Sequence, residues 1–168
     1  MDAAAHRVHL CVHRPGRQHD RVLLRPRRLR ESPGSLGTVS ACEVRARDVC
    51  AAYLAAFATG DPDSITALVT DDFVNEHTAA LGTGCVGKAE YERRVPGFLA
   101  SMPGLRYEVE EIIADEDRVA AAYTLHARVN DRDVAVRGVM RFRVEGELIA
   151  HRIDYWDSLV FKQQAALE

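Results

Sequence analysis

The chain has 168 residues, of which 47% are apolar and 28% charged, and its formal net charge is −3 at pH 7. This length fits one domain, and because no apolar run reaches about eighteen residues, we expect neither a membrane span nor a membrane partner. Four cysteines without CxxC spacing exclude a disulfide-dense framework, so we expect reduced thiols and a cytoplasmic protein.

Arginine is concentrated at the start of the chain. Residues 1–38 contain eight arginines against three acidic residues, so they carry +5 while the remainder carries −8. Because this segment lacks a sustained apolar period, we predict a disordered leader over residues 1–39, one domain over 40–162 and a tail over 163–168. Nucleic-acid binding and organelle targeting are alternative interpretations of the basic run, but we expect no nucleic-acid partner. A metal site is an alternative interpretation of His6, His9, Cys11 and His13.

The domain begins with two predicted helices. Ser40 and Glu43 form a capping-box pattern, and apolar residues then recur at helical spacing until Gly60. Asp61 and Pro62 match the cap and first turn of a second, shorter helix.

A third helix is predicted from Lys88 to about Met102, where apolar residues again recur at helical spacing. Pro96 removes a backbone hydrogen bond, so we expect a kink there.

The remaining runs are of strand type. A short strand is predicted over residues 73–77, followed by a loop over 78–87. Four long strands follow, separated by turn residues, over 105–114, 118–130, 132–144 and 146–161. Helices gathered before a long run of strands predict an α+β fold, in which a mainly antiparallel sheet has its helices on one face.

The last predicted strand contains the most unusual side chains. His151, Asp154 and Trp156 combine a titratable pair with an aromatic residue in an otherwise apolar run, which is uncommon in a plain core. In a regular strand His151 and Asp154 face opposite sides. A β-bulge at Arg152-Ile153 would return both to one side, so we predict a bulge and a site there.

Four segments carry a resemblance to a known family. They are YLAAFATGD (53–61), LVTDDFVNEH (68–77), MPGLRYEVE (102–110) and GELIAHRIDYWD (146–157). Over about residues 41–162 the chain resembles the nuclear-transport-factor-2-like superfamily, and within it the SnoaL-like polyketide cyclase and ketosteroid isomerase-like branch. The resemblance implies a cone-shaped curved sheet wrapped around three helices, an enclosed apolar pocket and a homodimer.

The resemblance also implies roles for single residues. Tyr53 corresponds to the ketosteroid isomerase tyrosine that donates a hydrogen bond to the developing oxyanion, and His77 stands where those enzymes keep an aspartate base. Gly138 stands where they keep a protonated aspartic acid, and it has no side-chain donor. Steroid isomerisation is therefore not expected.

Two other branches give further assignments. The epoxide-hydrolase branch uses an Asp-Arg-Asp arrangement, for which Arg118 and Asp154 are the counterparts while Ala120 replaces the first aspartate. In the cyclase branch, a late histidine and aspartate hold and deprotonate the substrate, and the resemblance assigns these roles to His151 and Asp154.

Strand alternation completes the predicted pocket. Arg118 and His126 share one side of their strand, and we place this side toward the pocket together with Gly138, Met140 and Trp156. An apolar stripe on the other side, which we expect to mediate a homodimer, comprises Val119, Ala121, Tyr123 and Leu125. Structural roles are the alternative: Asp154 as an ion-pair partner, His151 as a core histidine, Tyr53 and Trp156 as packing residues.

Two function classes remain open. One is a cofactor-independent isomerase or cyclase that removes a proton next to a carbonyl of an apolar substrate, with His77 or Asp154 as base, His151 orienting and Tyr53 donating. The other is a non-catalytic ligand-binding or dimerisation module, with epoxide-hydrolase-like water activation as a further alternative. We expect no cofactor and no metal, because the spacing of the histidines alone does not make a metal site.

Overall fold

A computed structural model describes residues 40–167. The predicted leader and the last residue of the predicted tail lie outside the described residues. Four α-helices are present in the described part, namely α1 (Ala41–Ala56), α2 (Pro62–Thr66), α3 (Lys88–Ser101) and α4 (Ser158–Gln164). The strands are β1 (Val69–His77), β2 (Cys85–Val86), β3 (Arg106–Asp115), β4 (Arg118–Val129), β5 (Arg132–Glu145) and β6 (Leu148–Trp156). No helix among residues 40–167 has the length and apolar content needed to cross a membrane.

The predicted helix ends are confirmed in α1. The Ser40 hydroxyl accepts from the Glu43 backbone N–H at 3.1 Å, and the Glu43 carboxylate accepts from the Ser40 N–H at 2.7 Å, which is a complete capping box. A 3₁₀ turn, Phe57–Thr59, continues the helix to Gly60, whose φ of 71° needs a residue without a side chain. Pro96 lies inside α3, which continues beyond it to Ser101.

The strands form one six-stranded sheet in the order β2-β1-β6-β5-β4-β3. Every neighbouring pair is antiparallel except β1 and β6, which run parallel. Helix α1 packs on β3 and α3 packs on β1, and the core lies between these helices and one face of the sheet. We call this the inner face. The α+β prediction is confirmed.

The prediction for the two sides of β4 was wrong. Val119, Ala121 and Tyr123 are 3%, 0% and 1% exposed, so the stripe assigned to a dimer contact packs in the core instead. Arg118 and His126 alternate with these residues and lie on the opposite, outer face. Ala120 and Ala122 make the outer side of β4 apolar as well. Because both sides are apolar, period two alone does not identify which side is buried.

The segment after Trp156 also differs from the prediction, which continued the last strand to Phe161. Strand β6 stops at Trp156, and Asp157 then caps α4 by accepting from the backbone N–H groups of Leu159 and Val160 at 2.9 and 3.0 Å. A carboxylate at this position favours a helix start over a continued strand. Phe161 packs edge-to-face on Trp156, with ring centroids 5.6 Å apart, so α4 holds one of the predicted site residues.

Candidate functional site

A cavity of about 260 Å³ opens between α3, the start of β2 and the inner face of β1 and β6. Its polar wall is built by neighbouring residues of the parallel strand pair, because Asn75 lies beside Arg152 and His77 beside Asp154 in the register. The apolar part of the wall comprises Phe57, Leu81, Cys85, Val95 and Phe98. The polar side chains on the wall are Asn75, His77, Thr83, Tyr91, Arg94, Arg152 and Trp156. The cavity therefore suits a small molecule that is apolar over most of its surface.

A β-bulge decides which side chains of β6 reach this cavity. The register between β5 and β6 shifts between the pairs Arg143–His151 and Val144–Ile149, which leaves Ala150 as the extra residue. From His151 onward the pairing is regular, so the predicted bulge at Arg152-Ile153 was wrong. A slip of one residue reverses every following side chain, and the bulge at Ala150 therefore turns Arg152 and Asp154 inward and His151 outward.

Arg152 is the central charged group of the site. It is 4% exposed, and its guanidinium donates to Asn75 Oδ1 at 2.9 Å, to the Tyr53 hydroxyl at 2.9 Å and toward His77 Nε2 at 3.1 Å. All three acceptors are neutral. Among residues 40–167, no carboxylate oxygen lies within 4.0 Å of the guanidinium. A buried cation without a directly paired anion is costly, and the Asp154 carboxylate, which lies beyond 4.0 Å, offsets part of this cost through its charge.

His77 lies between Arg152, Trp156 and Asp154. Its Nε2 faces Arg152 Nη2 at 3.1 Å, while the Trp156 indole N–H points at its Nδ1 as a donor at 3.3 Å and Asp154 Oδ2 lies 3.7 Å from the same Nδ1. Burial, with a further contribution from the Arg152 charge, lowers the pKa of His77 to about 4. The ring is therefore neutral at pH 7. Arg152 and Trp156 both only donate, and a neutral imidazole accepts at one nitrogen. The charged Arg152 donor favours the lone pair on Nε2 and the Asp154 carboxylate favours the proton on Nδ1, and in this tautomer the Trp156 N–H does not bond to the ring.

Asp154 lies beside the His77 ring but outside the cavity. It is 4% exposed, does not line the cavity and accepts a hydrogen bond from the Tyr123 hydroxyl at 2.5 Å. Burial raises the pKa of Asp154, while Arg152 and the Tyr123 hydrogen bond oppose that rise. The carboxylate thus acts on the cavity through His77 and not by direct contact.

Gly138 makes room for this arrangement. It faces Tyr123 across the β4–β5 pair, and a Cβ added at Gly138 would lie 2.6 Å from the phenol carbon Cζ of Tyr123 and 2.8 Å from the carbonyl oxygen of Tyr155. The Tyr123 hydroxyl that bonds Asp154 therefore occupies the space of the missing side chain. Gly138 and Met140 were predicted as pocket residues, but neither lines the cavity, and Met140 is fully buried beside Asp154 in the register.

Tyr53 lies one step farther from the cavity than predicted. It is fully buried, its hydroxyl is 2.5 Å from the Tyr91 hydroxyl, and Tyr91 rather than Tyr53 lines the wall. The helix-face position of Tyr53 is correct for the core, but α3 places Tyr91 between it and the cavity.

Three predicted site residues lie on the outer face. His151 bonds Glu76 at 2.7 Å and His126 bonds Glu108 at 3.0 Å, while the Arg118 side chain is 69% exposed. These placements correct the prediction that all three face the pocket. The cause is the bulge at Ala150 for His151 and the reversed sides of β4 for the other two.

Sequence reasoning missed four residues of the site: Asn75, Tyr91, Tyr123 and Arg152. A signal was present for Arg152, since Arg152, Asp154 and Trp156 already follow period two without any bulge between them. The position of Tyr91 in the helical period of α3 predicts by itself only a packing residue. No group of three or more His, Cys, Asp or Glu side chains within residues 40–167 could hold a metal ion.

Comparisons with known proteins agree on the fold. Residues 50–152, more than half of the chain, match the model of the SnoaL-like domain family. No curated protein matches the chain. A protein from Catenulispora acidiphila DSM 44928 with a ketosteroid isomerase-like fold, crystallised with trimethylamine, is 18% identical with a TM-score of 0.67, over 72% of this chain and 94% of that chain.

Two further solved structures are similar. An LEH-like epoxide hydrolase from M. tuberculosis is 22% identical with a TM-score of 0.65, over 74% of this chain and 92% of that chain. A candidate SnoaL-like polyketide cyclase from Jannaschia sp. CCS1 is 14% identical with a TM-score of 0.67, over 79% of this chain and 99% of that chain. At these identities the likeness concerns the fold, and with the family match it shows that the chain belongs to the SnoaL-like domain family and has the nuclear-transport-factor-2-like fold.

Proposed function

We propose that this protein is a cofactor-independent enzyme that moves a proton next to a carbonyl of a small, mainly apolar molecule, as an isomerase or cyclase does. The observation that carries the proposal is Arg152. A guanidinium has five N–H groups, and three of them bond to Asn75, Tyr53 and His77, which leaves two without a protein acceptor among residues 40–167 at a wall of the cavity.

Arg152 fits the charge that such a reaction creates. Removing a proton next to a carbonyl places negative charge on the carbonyl oxygen. Fixed donors in a buried site stabilise that charge far more than water does, because they need no reorganisation and the surroundings screen little. A ligand oxygen against Arg152 would also supply the directly paired anion that this buried cation lacks.

His77 is the base in this proposal. It is neutral at pH 7, and its Nε2 lone pair faces Arg152 in the absence of ligand. When Arg152 donates to the ligand oxygen instead, Nε2 can accept the proton of the neighbouring carbon. The Asp154 carboxylate, 3.7 Å from Nδ1, then stabilises the imidazolium. Negative charge developing near Arg152 also raises the proton affinity of His77, so the two events favour each other.

A non-catalytic binding pocket is the second candidate. It is favoured by the low pKa of His77, about 4, which makes the ring a weak base in the ligand-free protein. Water activation of the epoxide-hydrolase type is less well supported, since Asp154 does not line the cavity and Arg118 lies on the outer face.

The test is exchange of the acidic protons of a cyclic ketone, 2-tetralone, with D₂O, followed by proton NMR. The wild-type protein should accelerate exchange above buffer, and His77→Gln should lower the protein-dependent rate about a hundredfold, the usual contribution of a positioned base. His151→Gln is the matched control and should change the rate less than about twofold, because it removes only an exposed ion pair. Exchange no faster than buffer, or equal loss in both variants, favours the binding pocket.

A homodimer stays a prediction, but the surface that we now expect to form it is an apolar patch on the outer face of the sheet and not the buried stripe of β4. Ile113, Val139 and Tyr155 are 60%, 40% and 39% exposed on the outer face, which is more apolar surface than isolated residues account for. Sedimentation at micromolar concentration tests it, and a purely monomeric species contradicts it.

A further inference from the structure

A chain of hydrogen bonds connects Arg152 to the cavity through two tyrosines. Arg152 Nη1 donates to the Tyr53 hydroxyl at 2.9 Å, and the Tyr53 and Tyr91 hydroxyls are 2.5 Å apart. A guanidinium has no acceptor, so the Tyr53 oxygen must accept in the first bond.

The direction of the second bond follows from burial. Tyr53 is fully buried, and in the described part of the chain its hydroxyl contacts only Arg152 and Tyr91. Its single proton therefore goes to the Tyr91 oxygen. The opposite direction would leave a buried O–H without an acceptor, which native structures avoid.

Tyr91 is then left with a proton to donate. Tyr91 lines the cavity, and its hydroxyl has no acceptor other than Tyr53 within residues 40–167. The Arg152 charge polarises the chain of hydroxyls, which strengthens Tyr91 as a donor. Two donor groups, Tyr91 and Arg152, thus lie on one cavity wall and are joined through the same tyrosine.

No acidic side chain of the described residues lies on the wall beside these donors. The Asp154 carboxylate is behind His77 and offsets the Arg152 charge only from there. The other charged side chain on the wall is Arg94, and the apolar part includes Phe57, Leu81 and Phe98. The wall is therefore electropositive where it is polar.

We infer that Tyr91, and not Tyr53, contacts the ligand as the second oxyanion donor beside Arg152, and that the cavity binds acidic hydroxyl compounds, phenols or enols, as their anions. The inference rests on the proposed function in placing the enolate of the reaction at the same donors. The binding itself requires no turnover.

The test uses 4-nitrophenol, whose absorbance distinguishes phenol from phenolate. Bound to the wild-type protein, it should titrate at least about one pH unit lower than in solution, because a hydrogen bond to a charged group favours the anion by about tenfold or more. Tyr91→Phe should remove most of this shift and weaken phenolate binding about tenfold. Tyr53→Phe should have a smaller effect, because it removes the polarising link and leaves the contact in place. Tyr155→Phe on the outer face is the matched control and should change nothing.

Three outcomes overturn the inference: no binding at millimolar concentration, titration of bound 4-nitrophenol as in solution, or a larger loss in Tyr53→Phe than in Tyr91→Phe. Should Tyr91→Phe fold poorly, wild-type protein labelled with ¹³C at tyrosine Cζ gives the same decision. 4-Nitrophenol should then shift the Tyr91 resonance most, and a shift confined to Tyr53 overturns the inference.

The exchange assay separates this result from the proposed function. A Tyr91-dependent titration without ketone exchange supports the anion subsite and contradicts catalysis. If ketone exchange depends on His77 but the titration of bound 4-nitrophenol does not depend on Tyr91, the result supports catalysis and contradicts the anion subsite.

Discussion

The two faces of the sheet use the same residue types for different purposes. On the outer face, His151 and His126 bond Glu76 and Glu108, and all four side chains are 24% to 67% exposed. On the inner face, His77 and Asp154 are 16% and 5% exposed beside the buried Arg152. Outer pairs exchange water for a partner at little net gain, while inner groups interact in surroundings that screen their charges weakly.

The difference shows that burial, and not residue type, shifts the pKa values of His77 and Asp154 on the inner face. Each outer histidine contacts a carboxylate directly. The inner cation instead meets neutral acceptors, and its charge lowers the pKa of His77 and opposes the rise in the pKa of Asp154. Matched substitutions on the two faces can therefore test the assignment of the site.

The largest expected effect comes from Arg152→Met. It removes the donor for the enolate oxygen, and the ketone exchange rate should fall by about 10² to 10³, as for the loss of an oxyanion donor. Arg143→Met on the outer face should leave the rate within about twofold, because Arg143 pairs only with exposed Glu145. Similar losses in both variants, or none in Arg152→Met, contradict the role of Arg152.

Asp154→Asn should lower the exchange rate about a hundredfold while the free energy of unfolding stays level or rises. The amide can still accept from Tyr123, and the cost of a buried charge disappears, but an N–H now faces His77 Nδ1 and disfavours its active tautomer. The control is Glu76→Gln, the carboxylate partner of His151, which should leave both quantities unchanged. A clearly less stable Asp154→Asn with unaltered exchange means that Asp154 is a structural residue.

Gly138→Ala should lower the free energy of unfolding by about 1 to 3 kcal/mol, the usual cost of overpacking, because the new methyl displaces the Tyr123 phenol. Gly97→Ala in α3 is the control. Within residues 40–167, apart from its chain neighbours and the backbone of its own helix, no atom lies within 4 Å of the added Cβ, and helix propensity predicts a gain of up to about 1 kcal/mol. Urea unfolding measures both. Equal stabilities would show that Tyr123 moves away freely.

The most gradual expected effect is on the pH dependence of stability. The pKa of His77 falls from 6.5 to about 4 on folding, so between these values the unfolded chain binds a proton that the folded protein does not. The free energy of unfolding should therefore decrease as the pH falls from 6.5 to 4 and level off through this group below 4. The loss is on the order of 3 kcal/mol. His77→Gln should lack this component, while His151→Gln should keep it; a wild-type curve that parallels His77→Gln contradicts the burial of a neutral His77.

Much of the architecture follows from local sequence. The Ser40–Glu43 capping box and Gly60 determine where α1 begins and ends, because they satisfy backbone groups within a few residues. The long strands and their turns follow from period two and from turn residues for the same local reason. The resemblance to the family, and not local sequence, places His77 in one site with Asp154 and Trp156, because it carries the tertiary arrangement that local sequence lacks.

What the tertiary structure decided is which side of each strand is buried and which distant residues meet. A bulge at Ala150 turned Arg152 inward and His151 outward, and local sequence did not identify it because one inserted residue leaves the apolar content of β6 unchanged. The sides of β4 were undetermined because both are apolar. Tyr91 reached Tyr53, 38 residues earlier, only through the packing of α3 on β1. Contacts between elements depend on packing geometry, which no residue pattern within one element contains.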